Sequence, residues 1–364
     1  MVSALLVTVF VLGYLAIALE HNLKVNKAAP ALLTGVICWV IYILQSNAPE
    51  QVSAQLMHHL GEIASILFFL MGAMTIVELI DQHDGFDIIT ERIKTKNKQK
   101  LLIIIAILTF FLSAILDNLT TSIVMVSLCG KILDDKEDRL WFAAMVIIAA
   151  NAGGVWSPLG DVTTTMLWIG GQITAFNIVK MLLLPGLVSC VIPLLIISRR
   201  FKNKYITERI QFTATPKERR DGMIILISGI IGLVMVPVFK TVTHLPPFMG
   251  MMLSLGFLWI ITMLIHKKYE SRPDQSLTTA LSNIDTASIQ FFLGILLAVS
   301  ALQSFGLLVD VADFLDNTLK NDYAIGTTLG LLSALVDNVP LVAAVQGMYS
   351  LADFPTDHRF WENL

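Results

Sequence analysis

The sequence predicts an all-α polytopic membrane protein built from two inverted repeats. Each repeat is expected to hold a re-entrant hairpin and an unwound transmembrane helix, with the second repeat truncated at its C-terminal end. Three observations carry this expectation: long runs without charge, basic residues gathered into alternate connections, and an internal repeat at an offset of 220 residues.

Of the 364 residues, 55% are hydrophobic and 15% charged, against about 25% charged in a soluble domain. The deficit is local. Residues 2–19, 29–45, 101–116, 162–179, 223–239 and 245–265 contain no Asp, Glu, Lys or Arg. Each run is about long enough to cross a bilayer as a helix, or nearly so. One water-soluble core has no room for six such segments and would leave no polar face outside. The N-terminal run lacks a basic leader, and Ala18-Leu19-Glu20 is a poor cleavage site, so it reads as a first membrane helix, not a signal peptide. Cys38, Cys129 and Cys190 all lie in apolar stretches and read as packing residues with no disulfide or zinc pattern.

Segments 20–28, 81–100, 131–139, 199–220 and 266–273 hold 21 of the 25 Lys and Arg residues. The positive-inside rule puts these connections in the cytoplasm. The N-terminus is then outside, helix 29–45 runs outward, 61–80 inward, 222–239 outward, 246–265 inward and 287–306 outward. Residues 101–133 must leave the inside and return to it, and 322–350 must leave the outside and return. Each is an apolar hairpin broken at its middle, by Asp117-Asn118 and Asp337-Asn338. A polar break within an apolar run suits a hairpin tip lining a cavity, so re-entrant hairpins are favoured over thin full crossings. The organisation expected is a first helix and loop over 1–28, a first repeat over 29–198 with hairpin 101–133 and broken helix 141–175, a basic loop over 199–221, and a connecting helix with an incomplete second repeat over 222–364, including hairpin 322–350.

The two breaks are related. Leu112–Leu119 (LSAILDNL) aligns with Leu332–Val339 (LSALVDNV), and the same offset pairs Trp39 with Trp259, Arg139 with Arg359 and Trp141 with Trp361. At an offset of 223, Ala64-Ser65-Ile66 and Phe68-Phe69-Leu70 reappear as Ala287-Ser288-Ile289 and Phe291-Phe292-Leu293. Because one hairpin opens inside and the other outside, the repeat is inverted, as in many secondary transporters, whose sites lie at the midplane between the repeats. Trp141 leads to Asn151-Ala152-Gly153-Gly154, whereas its partner Trp361 stands three residues from Leu364. The expectation is a longer full protein with further membrane segments.

The strongest local signal is NAGGVWSPLGDVTTT, Asn151 to Thr165, which interrupts an apolar segment that begins at Trp141 and resumes at Met166. Three glycines and Pro158 break a helix, and in a membrane the freed backbone groups need a cavity, an ion or other protein as partner. Oxygens of Asn151, Ser157, Thr163 and Thr164 beside such an opening can replace part of an ion's water shell. Asp117, Asp161 and Asp337 are carboxylates at membrane depth, costly unless solvated, paired or protonated, and so suited to exchanging a proton near working pH. Asp117 and Asp337 also read as caps of the second half-helix of each hairpin. Asn118 and Asn338 adjoin them. Thr120 and Thr121 lie within a turn of Asp117, and Ser113 and Ser333 lie four residues before the aspartates, able to face the same cavity. Glu78 with His83, Asp84 and Asp87 reads as a solvated helix end at a cytoplasmic mouth. His58-His59 reads as an external interfacial stretch.

The strings LDNLTTSIVMVSL (116–128), NAGGVWSPLGDVTTTMLWIGGQI (151–173) and VDNVPLVAA (336–344) resemble the NhaD-type sodium/proton antiporters of the ion transporter superfamily, over nearly the whole chain. The resemblance implies two inverted repeats with hairpins and unwound helices, and exchange of Na⁺ or Li⁺ for H⁺ without a cofactor. It implies a polar set at Ser113, Asp117, Asn118, Asn151, Asp161, Thr163, Thr164, Ser333, Asp337 and Asn338, with Na⁺ in the region of Asp117, Asp161 and Asp337. The partners expected are a lipid bilayer, of which a bacterial inner membrane is the simplest, and monovalent cations. No nucleic acid is expected, and a homo-oligomer is left open. Two rivals were weighed. Carboxylate carriers of the superfamily place Ser-Asn-Thr at the hairpin tips, where this chain has Asp, and fixed negative charge disfavours a dicarboxylate; an arsenite-type carrier is the same alternative. An intramembrane aspartyl protease would need Gly two residues before its Gly-Asp pair and Tyr before its first Asp. Pro158 and Leu116 stand there, so no enzyme is expected.

Overall fold

A computed structural model describes residues 2–90, 93, 95–206, 216–266, 277–333 and 337–364, with the side chains of 2, 87, 89–90, 216–218 and 277–278 outside the description. The Asp87 side chain and positions 334–336 of the repeat therefore lie outside the described residues, as do stretches of the basic connections 81–100, 199–220 and 266–273.

The described residues form eighteen helices: α1 (Val2–Ala18), α2 (Glu20–Leu23), α3 (Ala28–Gln45), α4 (Pro49–Gln82), α5 (Gly85–Thr90), α6 (Lys98–Leu116), α7 (Asn118–Ile132), α8 (Lys136–Gly154), α9 (Val162–Ile169), α10 (Ala175–Arg200), α11 (Pro216–Thr243), α12 (Pro247–His266), α13 (Leu277–Asn283), α14 (Thr286–Ser304), α15 (Leu307–Leu319), α16 (Asp322–Ser333), α17 (Asn338–Met348) and α18 (Arg359–Asn363). Among them α3, α4, α6, α10, α11, α12 and α14 are long and apolar enough to cross a membrane; α1 and α7 are shorter apolar helices. The protein is thus an all-α, multi-pass membrane protein.

Four elements depart from the sequence expectation. Helix α4 starts at Pro49, not near residue 61. Loss of charge marks entry into an apolar phase, whereas a helix starts where its backbone can, and Pro at the first position favours a start. His58-His59 is therefore helical, and His59 reaches Ser304 Oγ through Nε2 at 3.0 Å and Glu62 through Nδ1 at 3.3 Å. Run 162–179 is two elements, separated around Gly171, whose φ is +82°. The broken segment resumes as helix at Val162, before Met166. Helix α15 had no counterpart in the sequence reading. It buries Leu308 and Ala312, leaves Val309 and Phe314 exposed, and carries Asp310, Asp313 and Asp316, so its charges hid it from a search for charge-free runs.

The chain divides into two compact units that interleave in sequence: Met1–Leu70, Met166–Thr174 and Asp285–Leu364, and Met71–Thr165 with Ala175–Ile284. Helices α4 and α9 each contribute to both units. In the first unit α3 and α14 pack in parallel, with Gly35 against Gly294, Trp39 Nε1 donating to Leu297 O at 2.9 Å and Tyr42 Oη donating to Ser304 O at 3.1 Å. Both helices were expected to run outward. Small residues let the two backbones approach where lipid supplies no hydrophobic drive. The second unit is centred on α6, α7, α8 and α10, around Leu102, Ile105, Phe110, Phe142, Met145 and Val146. Cys38, Cys129 and Cys190 are buried free thiols.

Candidate ion-binding site

The site in the second unit starts from one backbone break. Helix α6 ends at Leu116 and α7 begins at Asn118, with Asp117 between them at φ 94° and ψ 159°. That region suits glycine and costs another residue about 1–3 kcal/mol, so it persists where surroundings enforce it, often at functional sites. The Asp117 carboxylate caps α7: Oδ1 accepts from Thr120 N at 2.8 Å and Oδ2 from Thr120 Oγ1 at 2.8 Å. Aspartate caps a helix because its oxygens satisfy amide donors that the first turn leaves open.

The second break follows α8. Gly153 and Gly154 are its last residues, so they do not break the helix as their composition suggested. They permit close approach instead. A Cβ on Gly153 would overlap the Phe110 backbone, and one on Gly160 would lie 2.6 Å from Ser113 O and 2.7 Å from Gly154 Cα. The unwound stretch 155–161 is tied to α9 by Thr165 Oγ1, which donates to Pro158 O at 2.7 Å. Gly153→Ala is expected to overpack this contact, lowering stability by about 1–3 kcal/mol. A lower melting point in detergent, followed by fluorescence-detected size exclusion, checks it.

These approaches bring the two breaks together. Asn118 Nδ2 donates to Asp161 Oδ2 at 2.5 Å and to Asn151 Oδ1 at 3.0 Å. Asp161 Oδ1 accepts from Thr163 N at 2.8 Å and from the Thr163 hydroxyl. An ionised carboxylate only accepts, so Asp161 dictates that Asn118 turns its NH₂ inward. Asn151 is still helical: its backbone oxygen accepts from Val155 N at 3.3 Å, and its side-chain oxygen is what meets the cluster. Asn151 is exposed, while Asp117, Asn118, Thr120, Asp161 and Thr163 are half-buried, so the cluster is reachable from one side of this unit. It presents two carboxylates, two amides and two hydroxyls.

Other expected residues sit elsewhere. Ser113 is fully buried and its Oγ donates to Ala150 O at 2.6 Å, which pins α6 to α8. Thr164 is buried and makes no hydrogen bond to Asp161; the hydroxyl meeting that carboxylate is Thr163's. Thr121 is buried with its hydroxyl unpartnered, and Ser157 Oγ accepts from Leu159 N at 3.2 Å. Sequence reasoning missed Trp156, which stacks on Phe110 with ring centroids 5.9 Å apart and buries an unpartnered indole N–H. Around the end of α4, Glu78 accepts from Asn283 Nδ2 at 2.8 Å, and His83 Nε2 lies 3.0 Å from His266 Nε2. No group of three or more His, Cys, Asp or Glu able to hold a metal occurs among the described residues.

In the first unit, Asp337 caps α17, its Oδ1 accepting from Val339 N at 3.2 Å. Its other oxygen lies 3.4 Å from Lys27 Nζ, and its backbone N–H donates to Tyr14 Oη at 2.9 Å. Lys27 and Tyr14 were not among the expected site residues; Lys27 had counted only toward topology. Asn338 is exposed at the start of α17, and Ser333 closes α16 half-buried.

The profile of the family described as citrate transporter, CitMHS, matches residues 14–360. The chain belongs to this family. It is similar to two Arabidopsis thaliana proteins. It is 45% identical to sodium/proton antiporter 1 over 97% of this chain and 62% of the relative, and 43% identical to sodium/proton antiporter 2 over 97% and 84%. It is 29% identical to the Na⁺/H⁺ antiporter NhaD of Vibrio cholerae over 93% of this chain and 76% of that protein. The likeness to NhaD-type antiporters read from the three strings is therefore the likeness found. These relatives bear transporters' names, not enzymes'. The chain spans less than two thirds of the length of the first of them.

Proposed function

We propose that the protein exchanges Na⁺, or Li⁺, for H⁺, the ions competing for carboxylates at the two helix breaks of the second unit. The observation that carries this reading is the convergence of Asp161, Asn118, Asn151 and Thr163, with the capped Asp117 beside them, at breaks in the apolar helices of the second unit. A dehydrating Na⁺ needs several oxygens in place of its water. Asp161, the Asn151 amide and the Thr163 and Thr120 hydroxyls offer them, and a proton on the carboxylate removes the charge that attracts the ion. Competition at one site is enough for exchange. The names of the relatives support Na⁺ and H⁺ as the ions exchanged.

The inverted repeat belongs to the proposal. It is supported by the matched hairpin sequences, by an Asp capping the second helix of each hairpin, and by the parallel packing of α3 and α14. The basic connections then face the cytoplasm and the N-terminus the outside. The family's description as citrate transporter favours a second reading, anion transport, against which stand the two carboxylates of the cluster.

One experiment separates the readings. In vesicles containing the full-length protein and an imposed pH gradient, Na⁺ or Li⁺ is expected to dissipate the gradient while K⁺ does so weakly. Dissipation by citrate in sodium-free medium, with no response to Na⁺, would replace the cation reading by the anion one.

A further inference from the structure

The two hairpins present their aspartates differently. Asp117 is held by Thr120 through both carboxylate oxygens. Asp337 uses one oxygen as a cap and turns the other to an ammonium of the same chain, Lys27 Nζ, 310 residues away in sequence. The 3.4 Å separation is longer than the roughly 2.7–2.9 Å of a tight charge-assisted hydrogen bond. Both side chains are part-exposed, at 33% and 27%, so the contact is loose and within reach of solvent ions. In the same position Nζ also lies 4.2 Å from the centroid of Phe291, where a cation is held by the ring face, so the ammonium has a partner besides the carboxylate. The backbone of Lys27 is fixed separately, its N–H donating to Glu20 Oε1 at 3.2 Å. The head group can therefore leave the carboxylate without releasing the chain.

We infer that Lys27 is a tethered monovalent cation that occupies the Asp337 carboxylate in competition with Na⁺, and so sets the apparent sodium affinity of the second hairpin. An ammonium carries the same charge as Na⁺ and cannot share one carboxylate oxygen with it at full strength. When Na⁺ takes Asp337, the ammonium loosens from the carboxylate and keeps its contact with Phe291; when Na⁺ leaves, Lys27 returns and compensates the part-exposed carboxylate. This rests on the sodium-exchange reading for its substrate, but its test does not require transport.

The test uses the wild-type protein in proteoliposomes and an amine-acetylating reagent, with modification of Lys27 read by mass spectrometry in NaCl and in choline chloride, whose quaternary nitrogen does not consume the reagent. Sodium is expected to raise modification of Lys27. In Asp337→Asn, modification should be high in both salts. In parallel, Lys27→Met is expected to lower the apparent KM for Na⁺ about two- to fivefold, the range open to a part-exposed ion pair. Lys27→Arg, which keeps the competing charge, should hold KM at or above the wild-type value. Lys27 modification indifferent to Na⁺ in the wild type overturns the inference, as does an unchanged KM in an active Lys27→Met. Failure of the exchange reading looks different: no sodium-driven change of pH occurs in any variant, while the labelling still reports whether Na⁺ displaces Lys27.

Discussion

Asp161→Asn is expected to reduce exchange to the level of vesicles without protein, while Asp161→Glu keeps part of it with an altered preference between Na⁺ and Li⁺. The asymmetry follows from the network. Asp161 accepts from Asn118 on one oxygen and from Thr163 on the other. An amide at 161 must point its NH₂ at one of these donors. Turning Asn118 over would set its oxygen against that of Asn151, and turning Asn151 would sacrifice its bond to Ile147 O, 2.9 Å long. An unmet donor in such a place costs about 1–3 kcal/mol, and the charge that draws Na⁺ is gone as well. Glutamate keeps the charge and displaces it by one methylene. The same carboxylate gives the pH dependence its sign. On the proposed exchange a proton and Na⁺ compete for it, so the apparent KM for Na⁺ should fall as pH rises and then level off once the group is ionised. A KM constant across the pH at which the Asp161 carboxylate ionises would mean that the two ions do not share it.

Asp117→Asn should abolish exchange with little loss of folded protein. Asparagine caps a helix about as well as aspartate, so its side-chain oxygen can still accept from Thr120 N. It is also among the few non-glycine residues found at positive φ. What it removes is the charge. Asp117→Ala is a poorer probe: it deletes the cap, worth about 0.5–2 kcal/mol, and leaves a Cβ in a region that suits glycine. The expected pattern is a normal size-exclusion profile and melting point for Asp117→Asn with transport absent, and a lowered melting point for Asp117→Ala. Wild-type exchange in a well-folded Asp117→Asn would remove the carboxylate from the mechanism and leave it only as a cap.

Both variants depend on features that differ in how far the sequence reveals them. The hairpin break at Asp117 was legible because a cap is local: a carboxylate, a helix start and the amide three residues on suffice. The unwound stretch was legible through Pro158 and Gly160, although Gly153 and Gly154 were misread as breakers. A glycine's composition does not say whether it bends its own helix or admits a neighbour, and here the Phe110 backbone decides. Helix α15 escaped because a charge-free run detects membrane depth, not helicity.

By itself the sequence determined the membrane class and the two aspartates, Asp117 and Asp337, that cap helix starts within apolar stretches. These follow from short-range chemistry: apolar runs that cannot be hydrated and polar side chains that satisfy open helix ends. Only the tertiary structure decided which of those groups meet. Asn118 reaches Asp161 across 43 residues, and Lys27 reaches Asp337 across 310. Such contacts depend on which helix faces press together and how closely glycine lets them approach, and no local rule fixes that. For the same reason two aspartates in matching repeat sequences acquired different partners: one faces a threonine on its own helix, the other an ammonium brought to it by packing.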